Sequence, residues 1–91
     1  MYIHELTHLE QEQKGDCNFF NVGVCMTRNF SLEVPQWGRG IQEALASIKE
    51  RYGTKADYLQ VFTYRDINTP EIKFWVIHDG EHVTFLLPED Y

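Results

Sequence analysis

The segment His4-Glu5-Leu6-Thr7-His8 contains two imidazoles four residues apart with a carboxylate between them. On a helix, residues four apart share a face, so both imidazoles can hold one Zn²⁺ while the glutamate acts as general base. In this hypothesis His4 and His8 are the metal ligands, Glu5 is the base, and another protein side chain completes the site. The pattern therefore predicts a zinc-dependent hydrolase as one function.

The same residues resemble the active helix of certain zinc metallopeptidases, but the flanking sequence favours another interpretation. Only the residues 1–3 precede His4, and helix ends fray, whereas catalytic groups need a rigid supporting structure. Gln11 and Lys14 stand where the metzincin extension has glycine and histidine. If the segment is a strand, His4 and His8 lie ~13 Å apart, too far for one metal. We therefore expect no metal and no other cofactor.

The remaining reactive side chains lack a convincing partner. His78 and His82 flank Asp79-Gly80, but strand alternation places the two imidazoles on opposite faces, so a polar turn is the expected structure. No family signature surrounds Cys17 or Cys25, and cysteine is among the most buried residue types. Both are therefore expected to be packed, free thiols, and no catalytic residue is predicted.

The elements that position these side chains follow from hydrophobic periodicity. Apolar residues that recur every three or four positions predict one helix at about 35–52, ended by Gly53. The expected fold is a single α+β domain, residues 1–91, in the order β-β-α-β-β-β. It has an antiparallel sheet of four to five strands with the helix packed on one face. The predicted strands are 18–27, 57–64, 71–78 and 81–87, with residues 1–9 as a strand paired to 17–27 or as a short helix.

Asp79-Gly80 is a strong signal for a two-residue hairpin turn. Such a turn pairs His78 with Glu81 and, further from the turn, Val76 with Val83. Val76–Val83, Phe74–Phe85 and Ile72–Leu87 then form one apolar stripe, as a core face should.

The sheet face that the helix leaves open is predicted to bind a partner. Apolar side chains on that face are too numerous for a simply solvated surface, and tryptophan is enriched at binding hot spots. The alternative is that another part of the chain covers this face. The predicted contact residues are Phe19, Trp75, Ile77, Thr84 and Leu86.

Composition narrows the classes of partner. The net charge is −6, and the eight basic residues are scattered, which argues against direct binding of nucleic acid. No apolar run approaches the ~20 residues of a membrane span. The free thiols fit a reducing compartment, so we expect a cytoplasmic protein. An acidic surface favours a basic protein partner, and self-association as a homodimer is an alternative.

The middle of the chain resembles a small family of uncharacterised proteins from bacteria and their mobile elements. The resemblance rests on Thr27-Arg28, Pro35, Trp37 and Asp57-Tyr58-Leu59-Gln60-Val61-Phe62, in that order; Asn29 replaces the family's glycine. It implies a short α+β domain and no site residues. Together with the charge it suggests a phage or mobile-element inhibitor that occupies a basic, nucleic-acid-binding surface of a host complex. The alternatives are the zinc hydrolase and a homo-oligomeric structural protein.

Overall fold

The computed structural model describes residues 4–91, so the first part of the predicted segment 1–9 lies outside the described residues. The fold is α+β, as predicted: a five-stranded sheet with one main helix. The strands are β1 (His4–His8), β2 (Gly23–Met26), β3 (Leu59–Asp66), β4 (Thr69–His78) and β5 (His82–Leu86); the helices are α1 (Arg28–Glu33) and α2 (Trp37–Tyr52). Short 3-10 turns occupy Gly53–Lys55 and Pro88–Asp90.

The sheet is mixed, which corrects the prediction of a purely antiparallel sheet. Its strand order is β1-β3-β4-β5-β2. The predicted pairing of residues 1–9 with 17–27 is wrong: β1 pairs antiparallel with β3, and β2 pairs parallel with β5. Alternating polarity indicates which side chains share a face, but it carries no information about which strand lies next to which. The predicted strand 18–27 is also shortened to Gly23–Met26.

The β4–β5 hairpin forms as predicted, with a register shifted by two residues. His78 pairs with Val83 rather than with Glu81. The Asp79 carboxylate accepts hydrogen bonds from the backbone N–H groups of Glu81 and His82, at 2.9 and 2.7 Å. Its own N–H donates to the His82 carbonyl at 3.1 Å, which closes a longer turn. Because side chains repeat every two residues on a strand, the shift leaves each side chain on its predicted face.

The core lies between the sheet and the helices. Phe74, Val76, Val83 and Phe85, all predicted for the core face, are 0% exposed. The helix α2 buries one stripe of residues four apart, Gly40, Ala44 and Ile48. Trp37 is one of the recurring apolar residues that predict this helix, but it is the first residue of α2 and is 42% exposed.

The short helix α1 was not predicted. The Thr27 hydroxyl accepts the N–H of Phe30 at 3.2 Å, which is an N-cap bond. Phe30 then points into the core and is 0% exposed. Threonine is a preferred N-cap residue, which is a signal for a helix start, but the predicted strand 18–27 includes Thr27.

The connection between β1 and β2 is hydrogen-bonded to the segment between α2 and β3. Gly15 donates to the Lys55 carbonyl at 3.2 Å, and Cys17 donates to the Ala56 carbonyl at 3.0 Å. A Cβ atom on Gly15 would lie 2.2 Å from the Ala56 oxygen, so only glycine allows this approach. Within residues 4–91, none of the helices combines the length and hydrophobicity that a bilayer crossing requires.

Candidate functional site

The segment with the zinc-peptidase spacing is the strand β1. His4 and His8 lie on its core-facing side, and each contacts a different residue of α2. His4 Nε2 lies 2.5 Å from Glu43 Oε2, and His8 Nδ1 lies 2.6 Å from Ser47 Oγ. Since a strand rises ~3.3 Å per residue, the two rings do not converge on one ion. Among residues 4–91 no three His, Cys, Asp or Glu side chains group closely enough to hold a metal.

His8 belongs to a chain of hydrogen bonds whose directions can be assigned. The Gln60 amide nitrogen donates to Gln11 Oε1 at 2.9 Å and to the Asp57 carbonyl at 3.0 Å. Gln60 Oε1, 2.8 Å from His8 Nε2, is therefore an acceptor, so Nε2 carries the proton. Nδ1 of a neutral ring is then the acceptor for the Ser47 hydroxyl. Serine, imidazole and amide thus form one oriented chain.

The surroundings of His8 favour the neutral ring. The ring stacks on Phe62, with centroids 4.1 Å apart and planes at 18°, and meets Tyr52 edge-on. Burial lowers the pKa of His8 below its usual 6.5, and the nearby Arg51 guanidinium lowers this pKa further, against the opposing effect of the hydrogen bond that His8 donates to Gln60. The chain resembles the hydrogen-bond order of a serine nucleophile. Ser47 does not line the groove described below, and its bond to His8, with the bond from His8 to Gln60, links α2, β1 and β3.

The opposite face of the sheet brings together four of the five predicted contact residues. Strand register places Trp75 beside Leu86 and Ile77 beside Thr84. On the other flank Val61 pairs with Trp75, and Leu59 pairs with Ile77. Trp75, Ile77 and Thr84 are half-buried on this face.

Two of the predicted contact residues are not available as surface. Phe19 is 1% exposed, packs edge-on against the His78 ring and belongs to the core, so its placement on the open face is wrong. It precedes the shortened strand β2, where period-two alternation no longer determines its direction. Leu86 lies on the predicted face but is 6% exposed.

Residues after β5 extend over part of this face. The Tyr91 ring meets the Trp75 ring edge-on, with centroids 5.6 Å apart. The segment is held through Asp90, whose carboxylate accepts hydrogen bonds from Thr27 Oγ1 and Asn29 Nδ2, both at 2.7 Å. The bond from Thr27 lowers the pKa of Asp90 most, and the bond from Asn29 lowers it further. The open face is therefore partly covered, and a groove lies beside Trp75, whereas Ile77 and Thr84 lie outside that groove.

The groove beside Trp75 is the candidate binding site, with a volume of about 460 Å³. Its floor is the open face of β3 and β4, and its walls are the segment after β1 and the residue Pro88. Carboxylates outnumber basic groups among the lining residues, three to one. The lining residues are Leu9, Glu10, Gln11, Glu12, Asp57, Leu59, Val61, Lys73, Trp75 and Pro88.

Gln11 fixes the wall that carries the acidic residues. Its backbone N–H donates to the Tyr52 hydroxyl at 3.0 Å, and its side-chain oxygen accepts from the Asp57 N–H at 2.8 Å. Leu9 donates to the Val61 carbonyl at 3.0 Å, which holds the start of the wall against β3. Glu10 and Glu12, on either side of Gln11, are exposed and line the groove.

Sequence reasoning found the floor of this groove through Trp75 but missed its walls. Leu9 to Glu12 and Pro88 lie outside the regular strands and reach the floor through tertiary packing, for which local periodicity gives no signal.

The expectation of packed thiols holds only in part. Cys17 is half-buried, and burial raises the pKa of its thiol, whereas Cys25 is exposed beside Thr84.

Comparison of this chain with family models, curated proteins and solved structures finds no match. The resemblance of Thr27-Arg28 and Asp57–Phe62 to a mobile-element family therefore stays a prediction. The functional argument rests on the groove and its residues.

Proposed function

We propose that this chain is a non-enzymatic protein-binding domain that contacts its partner through the groove beside Trp75. The supporting observation is a half-buried tryptophan on a rigid sheet floor, flanked by Leu59 and Val61 and bounded by a wall whose backbone is hydrogen-bonded to the core. Tryptophan in a partly enclosed apolar pocket is a frequent anchor of protein–protein interfaces.

Charge supports a basic partner. The chain carries −6 overall, and Glu10, Glu12 and Asp57 line the groove against the single Lys73. Complementary charge raises the association rate and selects among partners more than it raises affinity. An inhibitor that occupies a basic, nucleic-acid-binding surface of a host complex would need such an acidic face, and this is the concrete form of the proposal.

The test compares two tryptophan substitutions. Trp75→Ala removes the proposed anchor, while Trp37→Ala removes an exposed tryptophan at the start of α2, away from the groove. Loss of a hot-spot residue costs at least ~2 kcal/mol, so we expect Trp75→Ala to weaken binding at least ~30-fold. Trp37→Ala should stay within about twofold. The measurement is affinity capture from lysate of the source organism, then titration of the captured protein.

Two controls keep this test decisive. Circular dichroism checks that Trp75→Ala folds, and Glu12→Lys, at an exposed position, changes the groove without removing core contacts. Light scattering on the purified protein shows whether the partner is a second copy of the chain. Equal binding by Trp75→Ala and Glu12→Lys relative to the unaltered protein would contradict the proposed site.

A further inference from the structure

The positions of the two acidic residues in the groove wall indicate how basic residues are spaced in the partner. We infer that the groove takes an extended protein segment with two basic side chains at alternate positions, i and i+2, whose cationic ends meet Glu10 and Glu12. This inference rests on the proposed function and names the chemistry of the partner. It differs from the general preference for a basic protein, because it requires a particular spacing of the cations.

The spacing comes from the two acids themselves. Glu10 and Glu12 are separated by one residue, so their Cα atoms are at most ~7 Å apart. In an extended segment, side chains two positions apart lie on one face and repeat at ~6.6 Å. Side chains three positions apart point to opposite faces and are separated by ~10 Å. The alternate spacing is therefore the one that matches the separation of the two acidic residues.

Gln11 makes the wall a fixed template. Its side chain is held at Asp57 N–H, Gln60 Nε2 and the Lys55 carbonyl, at 2.8, 2.9 and 3.3 Å. Because Gln11 is anchored, the residues on either side of it keep their separation when a ligand arrives. Preorganisation of this kind reduces the entropy lost on binding.

The floor suits the rest of a basic side chain. Arginine and lysine have long apolar stems that can lie on apolar surface while the charged end reaches outward. Trp75 and Val61 pair across β4 and β3 and provide that surface. A guanidinium is also attracted to the face of an indole. Lys73 on the same floor repels a third cation, so the groove favours two basic residues over a continuous basic run.

The probes are fluorescein-labelled nine-residue peptides. The first carries Arg-Val-Arg, and the second has the same composition but carries Arg-Val-Val-Arg. In the third, glutamate replaces both arginines of the first. Binding is measured by fluorescence anisotropy at low and at moderate salt, because exposed charge pairs weaken as salt rises. Exposed pairs are individually weak, so the expected preference for the alternate spacing is only about fivefold.

A charge-matched pair of variants separates the groove from the overall charge. Glu10→Gln with Glu12→Gln removes both template carboxylates, while Glu33→Gln with Glu50→Gln removes two exposed acids from α1 and α2. Only the first pair should abolish the spacing preference. All four positions are exposed, so both variants should fold.

The outcomes test the spacing of the basic residues separately from the proposed function. A spacing preference that is lost only with Glu10 and Glu12 supports the inference. Equal binding of both arginine peptides, a preference unchanged by Glu10→Gln with Glu12→Gln, or no binding of any arginine peptide overturns it. In those cases, partner capture that still depends on Trp75 leaves the proposed function standing. Loss of that dependence refutes the proposed function.

Discussion

Polar side chains on the two sides of the sheet differ in exposure and in hydrogen bonding. On the core-facing side, His8, Ser47 and Gln60 form a chain of short hydrogen bonds between three elements, and Gln60 is 1% exposed. On the open side, Glu10 and Glu12 are exposed beside a half-buried tryptophan. His8, one of the two histidines in the zinc-peptidase spacing, links β1 to α2 and β3 through these bonds.

This difference shows what distinguishes a structural polar cluster from a binding surface. Buried polar groups are costly unless they are paired, so pairing there is a condition of folding. Exposed acids contribute little to stability, so Glu10 and Glu12 can be replaced without a large cost to folding. Variants on the two faces should therefore separate into losses of stability and losses of binding.

The largest effect is expected for Gln60→Leu on the core-facing side. This change removes the bonds to His8 Nε2, Gln11 Oε1 and the Asp57 carbonyl, and it leaves those groups buried without that partner. The free energy of unfolding should fall by about 3 kcal/mol, measured by urea denaturation. Gln42→Leu, at an exposed position of α2, is the control and should stay within ~0.5 kcal/mol. Similar losses for both variants would remove the distinction between the faces.

A smaller effect is expected from pH through His8. The pKa of this imidazole is lower in the folded protein than the usual 6.5, so the unfolded chain binds the proton more readily. Stability is therefore full above pH 6.5 and falls as pH drops through the lower pKa of the folded state. Urea midpoints at pH 7.5 and 5.0 should differ more in the unaltered protein than in His8→Gln. His82→Gln, at an exposed position, should keep the full difference. An unchanged pH dependence in His8→Gln would show that another group is responsible.

The smallest effect is expected at the edge of the groove, for Asp90→Asn. The carboxylate accepts from Thr27, Asn29 and the Leu87 N–H, and these bonds lower its pKa; an amide has only one accepting oxygen to replace two. Hydrogen exchange at the Asp90 and Tyr91 amides should become faster while global stability changes little. Glu89→Gln, an exposed neighbouring acid, is the control. Unchanged exchange would mean that the ring contact between Tyr91 and Trp75 holds the segment alone.

Face assignments were predictable from the sequence wherever strands are regular. Phe74, Val76, Val83 and Phe85 are buried as expected, and Trp75 and Ile77 lie on the opposite face. These assignments survived even the two-residue shift of the hairpin, because they depend on parity alone. The prediction of the face of Phe19 was wrong because this residue lies before β2, outside the regular strand.

Strand neighbours and the groove walls were not predictable in this way. The pairing of β1 with β3 and the parallel pairing of β2 with β5 join segments far apart in the chain, and single-sequence patterns do not encode such contacts. Glu10 and Glu12 line the groove with Trp75 because the segment after β1 packs against the sheet, which periodicity does not predict. Asp57 lies in the predicted strand 57–64 and in the segment that carries the family resemblance, but neither feature predicts that it lines the groove.

The strand order has a consequence for how the protein is made. Both outer strands, β1 and β2, come from the first part of the chain, while their partners β3 and β5 are synthesised later. A growing polypeptide therefore exposes two unpaired strands until residues 59–86 have left the ribosome. The sheet can then form only near the end of translation. Contacts between such distant segments also slow folding. The nascent chain is thus most vulnerable to aggregation just before its final strand emerges.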